Sequence, residues 1–453
     1  MKNDVIEIEI TDITPEGFGV GRHDGKVVFV ADTAVGDKAG AIVMKELKNR
    51  SFAKVFEILS PSPDRIDSDC AVSRKCGGCA FRHISYEAEK ALKRKFVGDA
   101  MKRIGNLDIE IKETVSANPE NYRNKVQYPF SMGKNGECIY GYYARRSHRI
   151  IEYNGCKLQE PIFEQIASFT AETANKLFIP PYDETNGKGV LRHIVMRKNR
   201  KGEVLVCLVV ARNNRKIPVL ADAIAEKFGN IVGIHQNINK RRDNVIFGDE
   251  TEKLVGAEVL RDTLCGKTFE ISPRSFYQVN ADMAEKLYTR AKELLNEREK
   301  PSIILDLYCG AGTIGLCVAD EGDMLCGVEI IDSAVENANV NAKLNGRNEK
   351  NTLFVCGDAS LGVNECKKKF GTPDTIIVDP PRKGLEKEVI ETVVNASPKQ
   401  VLYISCDPAT LARDCKIFAE YGYKTDKAEP FDLFPRTGHV ETVVLLERTV
   451  SSI

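Results

Sequence analysis

The segment SIILDLYCGAGTIGL, residues 302–316, joins a short apolar run to three closely spaced glycines. The run 303–305 is typical of a buried strand, and the apolar residues after the glycines can begin a helix. Gly310, Gly312 and Gly315 fit the pattern G-x-G-x-x-G, which lets the backbone approach a ligand at a helix N-terminus. No P-loop lysine is present, so a Walker-type phosphate site is not indicated.

Two acidic residues narrow the choice of ligand. Asp306 ends the first strand, where it can face a cation or a polar ligand. Glu329 lies near the end of the next apolar run, 324–330, where it can hydrogen-bond a ribose. This succession of strand, acid, glycine turn, strand and acid resembles the S-adenosylmethionine (SAM) methyltransferase fold. An NAD or FAD site and a purely structural turn are the alternatives.

From residue 302 onward, strand and helix patterns alternate. The strands are expected at 303–307, 324–330, 352–357, 374–378, 400–405 and 439–447, and the helices near 312–320, 333–345, 385–395 and 409–420. A further helix is expected at 281–297. The alternation predicts a Rossmann-like α/β domain that binds its ligand at the carboxyl ends of the strands, and in outline it resembles the seven-stranded sheet of the SAM type.

Composition indicates an ordinary globular protein, with 42% hydrophobic and 29% charged residues and a formal net charge of zero. The N-terminus lacks the apolar core of a secretory signal, and no apolar run approaches the ~18 residues of a membrane span. We therefore expect a cytoplasmic protein with no membrane association, and a monomer. Residues 121–216 nevertheless hold 17 Lys and Arg against 8 Asp and Glu, a local excess of nine positive charges.

Part of this basic excess lies in residues 121–156, which are also rich in tyrosine. Arg145, Arg146 and Arg149 lie close together there. Strands that carry tyrosine and arginine suit a surface that faces an RNA backbone and stacked bases. A merely solvated surface is the alternative.

The first sixty residues predict a small β-barrel. Residues 5–10 alternate strictly between apolar and polar, and turns at 15–17 and 24–25 separate further short strands. The phrase GFGVGRHDGKVVFVADTAVGD resembles the TRAM domain, an OB-like RNA-binding module. A generic capping β domain is the alternative.

A cysteine cluster follows the barrel. Cys70, Cys76 and Cys79 lie within ten residues, and two glycines precede Cys79. Without a secretory signal, such a group indicates a metal site more than disulfides. A fourth ligand would come from Cys138 or Cys156, and the spacing suits either zinc or a [4Fe–4S] cluster.

The chemistry is expected at the ends of two later strands. The loop after 374–378 reads Asp379-Pro380-Pro381-Arg382, where enzymes that methylate amino groups usually have an aromatic residue in place of the arginine. The next strand ends at Cys406, just before a helix, which suits a nucleophilic thiolate. A thiolate can add to C6 of uracil so that C5 accepts a methyl group, and Glu441 is the candidate base for the C5 proton.

The motifs CxxxxxCGGC, SFYQVN, DLYCGAGTIGL, VDPPRKGL, SCDPATLARD and GHVETVVLL together resemble the RNA uracil-C5 methyltransferase family of the RumA and TrmA type. The resemblance covers nearly the whole chain. It implies Cys406 as nucleophile and Glu441 as proton acceptor. It also implies four SAM-binding residues, Gln278, Tyr308, Glu329 and Asp379, and four [4Fe–4S] ligands, Cys70, Cys76, Cys79 and Cys156.

The TRAM-like domain and the cysteine cluster together resemble the 23S rRNA enzymes of this family, since the tRNA enzyme of the TrmA type lacks both. Methylation of 23S rRNA is therefore the expected function. The alternatives are a tRNA uracil-C5 methyltransferase, a cytosine-C5 RNA methyltransferase and a non-catalytic rRNA assembly factor. The expected domains are a TRAM-like barrel (1–60), a central α+β RNA-binding domain with the cluster (61–270, of which about 90–120 packs on the catalytic domain) and the methyltransferase domain (271–453).

Overall fold

The computed structural model describes residues 3–295, 300 and 302–449. Its N-terminal sheet has the strand order β1-β5-β6-β4-β3-β2. The sheet curls so that its third strand approaches its first, and Gly21 in the third strand lies against the backbone of Glu9 in the first. Alternate side chains of the first strand, such as Ile6 and Ile8, are buried inside the curl, as the sequence pattern predicts. The strands are β1 (Val5–Glu9), β2 (Asp12–Ile13), β3 (Phe18–His23), β4 (Lys26–Ala31), β5 (Lys38–Glu46) and β6 (Arg50–Ser60).

Two elements that follow this sheet pack on the C-terminal part of the chain. Helix α1 (Tyr86–Arg103) begins at Ser85, whose hydroxyl accepts the backbone N–H of Ala88, and it buries Val97 and Met101 in the C-terminal core. Strand β7 (Glu110–Ile111) pairs in parallel with residues 427–428 at the edge of the C-terminal sheet. Together they cover one face and one edge of that sheet.

The central domain is a sheet of order β15-β14-β13-β12-β8-β9, with two helices packed on one face. Only β13 and β14 run parallel among the described strands of this sheet. Its elements, with the hairpin β10–β11, are β8 (Lys125–Met132), β9 (Cys138–Tyr140), β10 (Tyr142–Tyr143), β11 (Ile150–Ile151), α2 (Pro161–Lys176), β12 (Leu191–Lys198), β13 (Val204–Val210), α3 (Lys216–Lys227), β14 (Ile231–Ile238) and β15 (Glu250–Gly256).

The C-terminal domain begins with a hairpin and a helix and continues as a doubly wound sheet. These elements are β16 (Leu260–Leu264), β17 (Lys267–Ile271), α4 (Ala281–Leu294), β18 (Ile303–Leu307), α5 (Thr313–Val318), β19 (Met324–Glu329), α6 (Asp332–Leu344), β20 (Thr352–Cys356), α7 (Ala359–Lys369), β21 (Thr375–Val378), α8 (Lys387–Ala396), β22 (Gln400–Ser405), α9 (Pro408–Glu420), β23 (Tyr423–Lys424), β24 (Lys427–Phe431) and β25 (Glu441–Arg448). The expected helix 281–297 ends at Leu294 as far as the structure describes it, and residues 296–297 lie outside the described residues.

The C-terminal sheet has the order β20-β19-β18-β21-β22-β25-β24-β7, with β23 also paired to β25. Over the described residues it has nine strands, where the sequence predicts seven, because β7 extends one edge and β23 adds a two-residue pairing. The five strands from β18 to β22 are parallel, and β25 runs antiparallel to β22. The reversal of strand order beside β18 places a ligand crevice at the carboxyl ends of β18, β19 and β21.

None of the helices in the described ranges is both long enough and apolar enough to cross a membrane.

Candidate active site

The glycine turn after β18 is held together by acidic side chains. Glu329, the last residue of β19, accepts the backbone N–H of Gly310 at 3.2 Å and that of Ile331 at 3.0 Å. Asp306 is fully buried in β18, and its Oδ2 accepts the N–H of Gly315 at 2.9 Å. Glu329 therefore lies beside the turn, as the sequence predicts, whereas Asp306 fixes the loop from beneath.

Backbone geometry explains the residue types in this turn. Gly310 and Gly312 have φ values of 54° and 77°, and a Cβ on Gly312 would lie 2.9 Å from the ring of Phe354. Tyr308 also has a positive φ, 66°, which is unfavourable for a side-chain-bearing residue. Tyr308 is half-buried, and its strained backbone directs the chain from β18 into the glycine turn.

Asp379 and Glu441 bring two more carboxyl groups to the same edge of the sheet. Burial raises the pKa of Asp379 to about 7. Burial, followed by the charge of Asp379, raises the pKa of Glu441 to about 8, although Arg382 opposes this shift. Asp306 behaves in the same way, because burial and the neighbouring Asp379 and Glu329 raise its pKa to about 8. These carboxyl groups form an acidic cluster. Ionisation of each is unfavourable because of burial and like charge, and a bound cation would reduce this cost.

Gln278 reaches this acidic cluster through Tyr288. The side chain of Gln278 lies near enough to the Tyr288 hydroxyl to lower its pKa, and Tyr288 is buried beside Asp379 and Glu441. Burial raises the pKa of Tyr288, so it remains a neutral hydrogen-bonding group. In the sequence, Tyr288 has the pattern of an ordinary core residue of α4. Nothing there indicates that it contacts Gln278 and the acidic cluster.

Cys406 lies between β22 and α9 and lines a cavity of about 360 Å³ with Arg382, His439 and Asp407. Its thiol is near enough to Glu441 and Asp379 for their charges to act on it. The structure therefore brings the predicted nucleophile and the predicted base to one place.

The expectation that the helix N-terminus favours a Cys406 thiolate is wrong for the free protein. Burial, followed by the charges of Glu441 and Asp379, raises the pKa of Cys406 to about 11. The Asp407 carboxylate also accepts the backbone N–H groups of Ala409 and Thr410, at 2.9 and 3.0 Å. Because this N-cap already compensates the end of α9, the helix offers little to the neighbouring thiol.

Arg382 and His439 are members of the site that the sequence analysis did not assign. An Arg382 nitrogen lies 3.0 Å from Nε2 of His439, and both side chains line the cavity with Cys406. Arg382 lowers the pKa of Cys406 and of Glu441 against the stronger effect of burial. The sequence did hold one indication of the role of Arg382, because arginine there takes the place of the aromatic residue that enzymes methylating amino groups usually have in the loop 379–382.

The cysteine cluster forms a second pocket, of about 380 Å³. Cys70, Cys76, Cys79 and Cys156 all line it, whereas Cys138 lies in the apolar core of the central domain. Burial raises the pKa of Cys79 to about 11 and also raises that of Cys76. No group of three or more potential ligands in residues 3–295, 300 and 302–449 is drawn together as a formed metal site. The four thiols around one cavity nonetheless suit a metal that prefers sulfur.

This cysteine pocket is joined to the loop that leads to Glu441. The N–H groups of Ala80 and Phe81 donate to the carbonyl of Arg436, at 2.8 and 3.2 Å. The N–H of Arg436 in turn donates to the buried Glu89 of α1 at 2.7 Å. A short hydrogen-bonded path thus connects the cysteine segment to residues 436–441.

Comparison with known proteins agrees with this architecture. The family model of tRNA (uracil-5-)-methyltransferases matches residues 258–449, and that of the TRAM domain matches residues 1–56. An uncharacterized RNA methyltransferase of Listeria innocua is 40% identical over 98% of this chain and 98% of its own length. One of Clostridium acetobutylicum is 40% identical over 99% of this chain and 98% of its own length.

The chain belongs to the RNA uracil-5-methyltransferase family. A solved structure, Pyrococcus abyssi tRNA (uracil-54, C5)-methyltransferase in complex with S-adenosyl-L-homocysteine, is 26% identical with a TM-score of 0.78. The match covers 97% of this chain and 100% of the Pyrococcus abyssi chain. The predicted TRAM domain, the SAM methyltransferase fold and RNA as substrate are thereby confirmed. The methyltransferase fold and the S-adenosyl-L-homocysteine bound to this relative support SAM as the cofactor.

Proposed function

We propose that this methyltransferase transfers the methyl group of SAM to C5 of a uracil in RNA, with Cys406 as nucleophile and Glu441 as base. The observation that carries this proposal is the proximity of the two side chains at the carboxyl edge of the sheet, beside the glycine turn. Gln278, Tyr308, Glu329 and Asp379 are the proposed contacts to SAM.

In the proposed reaction, the Cys406 thiol first loses its proton to solvent, the thiolate bonds to C6 of uracil, and the C5–C6 π electrons move to the O4 enolate. C5 then takes the methyl group, and SAM leaves as S-adenosylhomocysteine. Glu441 removes the proton from C5, the double bond re-forms and the thiolate is expelled. With a pKa of about 8, Glu441 is close to the working pH that an effective general base requires. Arg382 offers a positive charge to the developing enolate or to the departing thiolate.

Trapping with a fluorinated base tests this mechanism. RNA that contains 5-fluorouridine should form a denaturant-stable adduct with the enzyme and SAM, because fluorine at C5 cannot leave as a proton. Cys406→Ala should abolish both the adduct and methyl transfer while SAM binding remains nearly normal. Normal turnover by Cys406→Ala would remove this residue from the mechanism.

We propose 23S rRNA as the substrate, supported by the TRAM domain together with the four-cysteine pocket. A tRNA is the second candidate, since the full-length structural relative from Pyrococcus abyssi acts, by its name, on uracil 54 of tRNA. Mass spectrometry of rRNA and tRNA from a deletion strain separates the two. Loss of 5-methyluridine from tRNA alone would overturn the rRNA assignment, and loss of a methylcytosine would support a cytosine-C5 enzyme. Undiminished methylation would support a non-catalytic assembly factor.

We also propose that Cys70, Cys76, Cys79 and Cys156 hold a [4Fe–4S] cluster. Its role would be structural, because methyl transfer to an enolate needs no electron. The cluster would tie the segment 70–79 to Cys156 of the central domain, and within that segment Gly78 already donates its N–H to the Cys76 sulfur at 3.4 Å. The limits of the domains at 60 and 270, the cytoplasmic location and the monomeric state remain predictions.

Chemical analysis tests the cluster. Anaerobically purified protein should be brown and contain iron and acid-labile sulfide. Cys76→Ser and Cys156→Ser should lose both and weaken RNA binding, whereas Cys138→Ser, away from the pocket, should retain the cluster. Protein that retains zinc instead of iron would contradict the proposal. A methylation rate that changes on reduction of an intact cluster, with unchanged RNA affinity, would replace the structural role by a redox role.

A further inference from the structure

A third pocket lies in the central domain, apart from the cavity of Cys406 and next to the cysteine segment, since Gly77 donates its N–H to the Tyr143 carbonyl at 3.3 Å. We call it the Tyr143–Tyr182 pocket, and its volume is about 540 Å³. Its walls are the end of β8, the hairpin β10–β11, the loop before β12 and the first residues of β12. The volume lies in the range typical of small-ligand sites.

The pocket holds an arginine that lacks an acidic partner among the described residues. Arg192 is 4% exposed, and its guanidinium carbon lies 4.5 Å from the ring centre of Tyr182. One nitrogen, Nη1, donates to the backbone carbonyls of Asn239 and Arg241, at 2.9 and 2.6 Å, while Nε has no partner within the described residues. Because a buried charge is normally compensated by an opposite charge, this guanidinium suits an anionic ligand.

A buried histidine beside this arginine also has an unused ring nitrogen. His193 is 5% exposed, and its Nε2 lies 3.3 Å from the hydroxyl of Tyr143. Its Nδ1 has no hydrogen-bond partner in the part of the chain that the structure describes. Burial, followed by the charge of Arg192, lowers the pKa of His193 to about 4, so the ring is neutral and can donate or accept one hydrogen bond.

Aromatic rings and acids complete the walls. The rings of Tyr143 and His148 lie 5.1 Å apart between centres and are tilted by 33° to each other. The Glu184 carboxylate is engaged by His148 at 2.6 Å, and Asp183 accepts from the backbone and side chain of Thr185. The acids of the pocket thus have partners within its walls, whereas Arg192 and His193 keep unused donors.

We propose that the Tyr143–Tyr182 pocket binds an unpaired nucleotide of the RNA substrate, separate from the uracil that is methylated. The aromatic rings would stack on the base, Arg192 would compensate the phosphate and Nδ1 of His193 would contact a polar edge of the base. Strand β8 supports this assignment, since it carries Lys125 on the wall of the cysteine pocket and Phe130 on the wall of this pocket. Five residues along a strand span about 17 Å, a distance that a short single-stranded segment can bridge.

This inference rests on RNA being the substrate. Photo-crosslinking tests it with the full-length enzyme and total cellular RNA in which 4-thiouridine replaces part of the uridine. After near-ultraviolet irradiation and nuclease digestion, peptides that contain Tyr143 or Tyr182 should carry a nucleotide. Crosslinks confined to other surfaces would overturn the proposal. The readout is independent of methyl transfer, so crosslinks without any methylation would overturn the proposed function and leave the pocket assigned.

Affinity measurements with 23S rRNA give a second test. Tyr143→Ala should raise Kd about tenfold, as expected for loss of one stacked base, while Tyr143→Phe retains the ring and should change Kd less than twofold. Lys227→Ala, on the exposed end of α3, is the matched control, and SAM affinity should be normal throughout. An unchanged Kd for Tyr143→Ala would overturn the proposal. Binding of free uridine monophosphate that depends on Tyr143, with RNA affinity unaffected, would assign the pocket to a free nucleotide instead.

Discussion

The thiol of Cys406 is neutral in the free enzyme, and its pKa of about 11 makes this measurable. Alkylation by iodoacetamide, followed on the peptide that contains Cys406, should accelerate until well above pH 9, because only the thiolate reacts. An ordinary cysteine has a pKa near 8.5, so a rate that levels off below pH 8 would contradict the high pKa. Arg382→Met should slow alkylation further at pH 8, since it removes the positive charge that opposes the shift.

Protonation of Glu441 makes stability depend on pH. Its pKa rises from 4.5 to about 8 on folding, so between these values the folded state binds a proton that the unfolded state lacks. This stabilising contribution is complete below pH 4.5 and is lost as pH rises to 8. Glu441→Gln should therefore increase the free energy of unfolding at pH 9, on the order of 3 kcal/mol, and change it little near pH 4.

Urea unfolding at both pH values checks the Glu441 prediction. Glu447→Gln is the control, because that side chain is exposed on the same strand, and its effect should be small at either pH. Equal effects of Glu441→Gln at pH 4 and pH 9 would show that the carboxyl is not protonated in the folded protein.

At the residue scale, motifs could identify which groups meet but not their protonation states. The motifs identified Cys406, after one strand, and Glu441, at the start of another. The two meet because β25 runs antiparallel to β22, with Ser405 opposite Thr442. The pKa shifts depend on burial and on the charges of carboxyl groups that other strands bring close, which local sequence does not reveal. Tyr288 was missed for the same reason.

The glycine turn gives a prediction at the element scale. Gly310 and Gly312 both have positive φ, so alanine at either should strain the backbone by about 1–2 kcal/mol. A Cβ at position 312 would also lie 2.9 Å from the Phe354 ring, whereas at position 310 it would meet no atom within 4 Å. Thermal unfolding should therefore show Gly312→Ala to be the less stable variant. Equal losses of stability in the Gly310→Ala and Gly312→Ala variants would indicate that Phe354 moves aside.

Elements with strong local patterns were predicted well. Strands β18 and β22 have the expected limits. The sequence analysis did not identify α2, α7 or β24, and β7 is only two residues long. Such a short strand exists only because β24 offers an open edge, a tertiary cause that no local pattern contains.

At the scale of the whole molecule, a buried ion cluster joins α1 to the loop before β25. Lys93 is fully buried and contacts Glu89 at 2.8 Å, Asp432 at 2.6 Å and the carbonyl of Phe434 at 3.2 Å. Burial raises the pKa of Glu89, and this effect is larger than the lowering caused by the positive charge of Lys93. Lys93→Met removes the cation shared by Glu89 and Asp432 and leaves Glu89 with the longer ion pair to Arg436, at 3.6 Å. The substitution should cost about 3–5 kcal/mol, with loss of methyl transfer because the loop leads to Glu441.

Denaturant unfolding and methyl-transfer rates test the Lys93 prediction together. Lys90→Ala on the same helix is the control, because its partner Glu87 is exposed and such surface pairs contribute less than about 1 kcal/mol. Similar losses in the two variants would contradict a special role for the buried cluster.

Helix α1 and strand β7 precede the central domain in the chain yet pack on the catalytic sheet. The central domain is therefore an insertion within the catalytic fold, attached through two connections instead of one. A doubly attached insertion cannot swing freely as a domain on a single linker does. The separation between Cys406 and the central domain is thereby restrained before any RNA arrives.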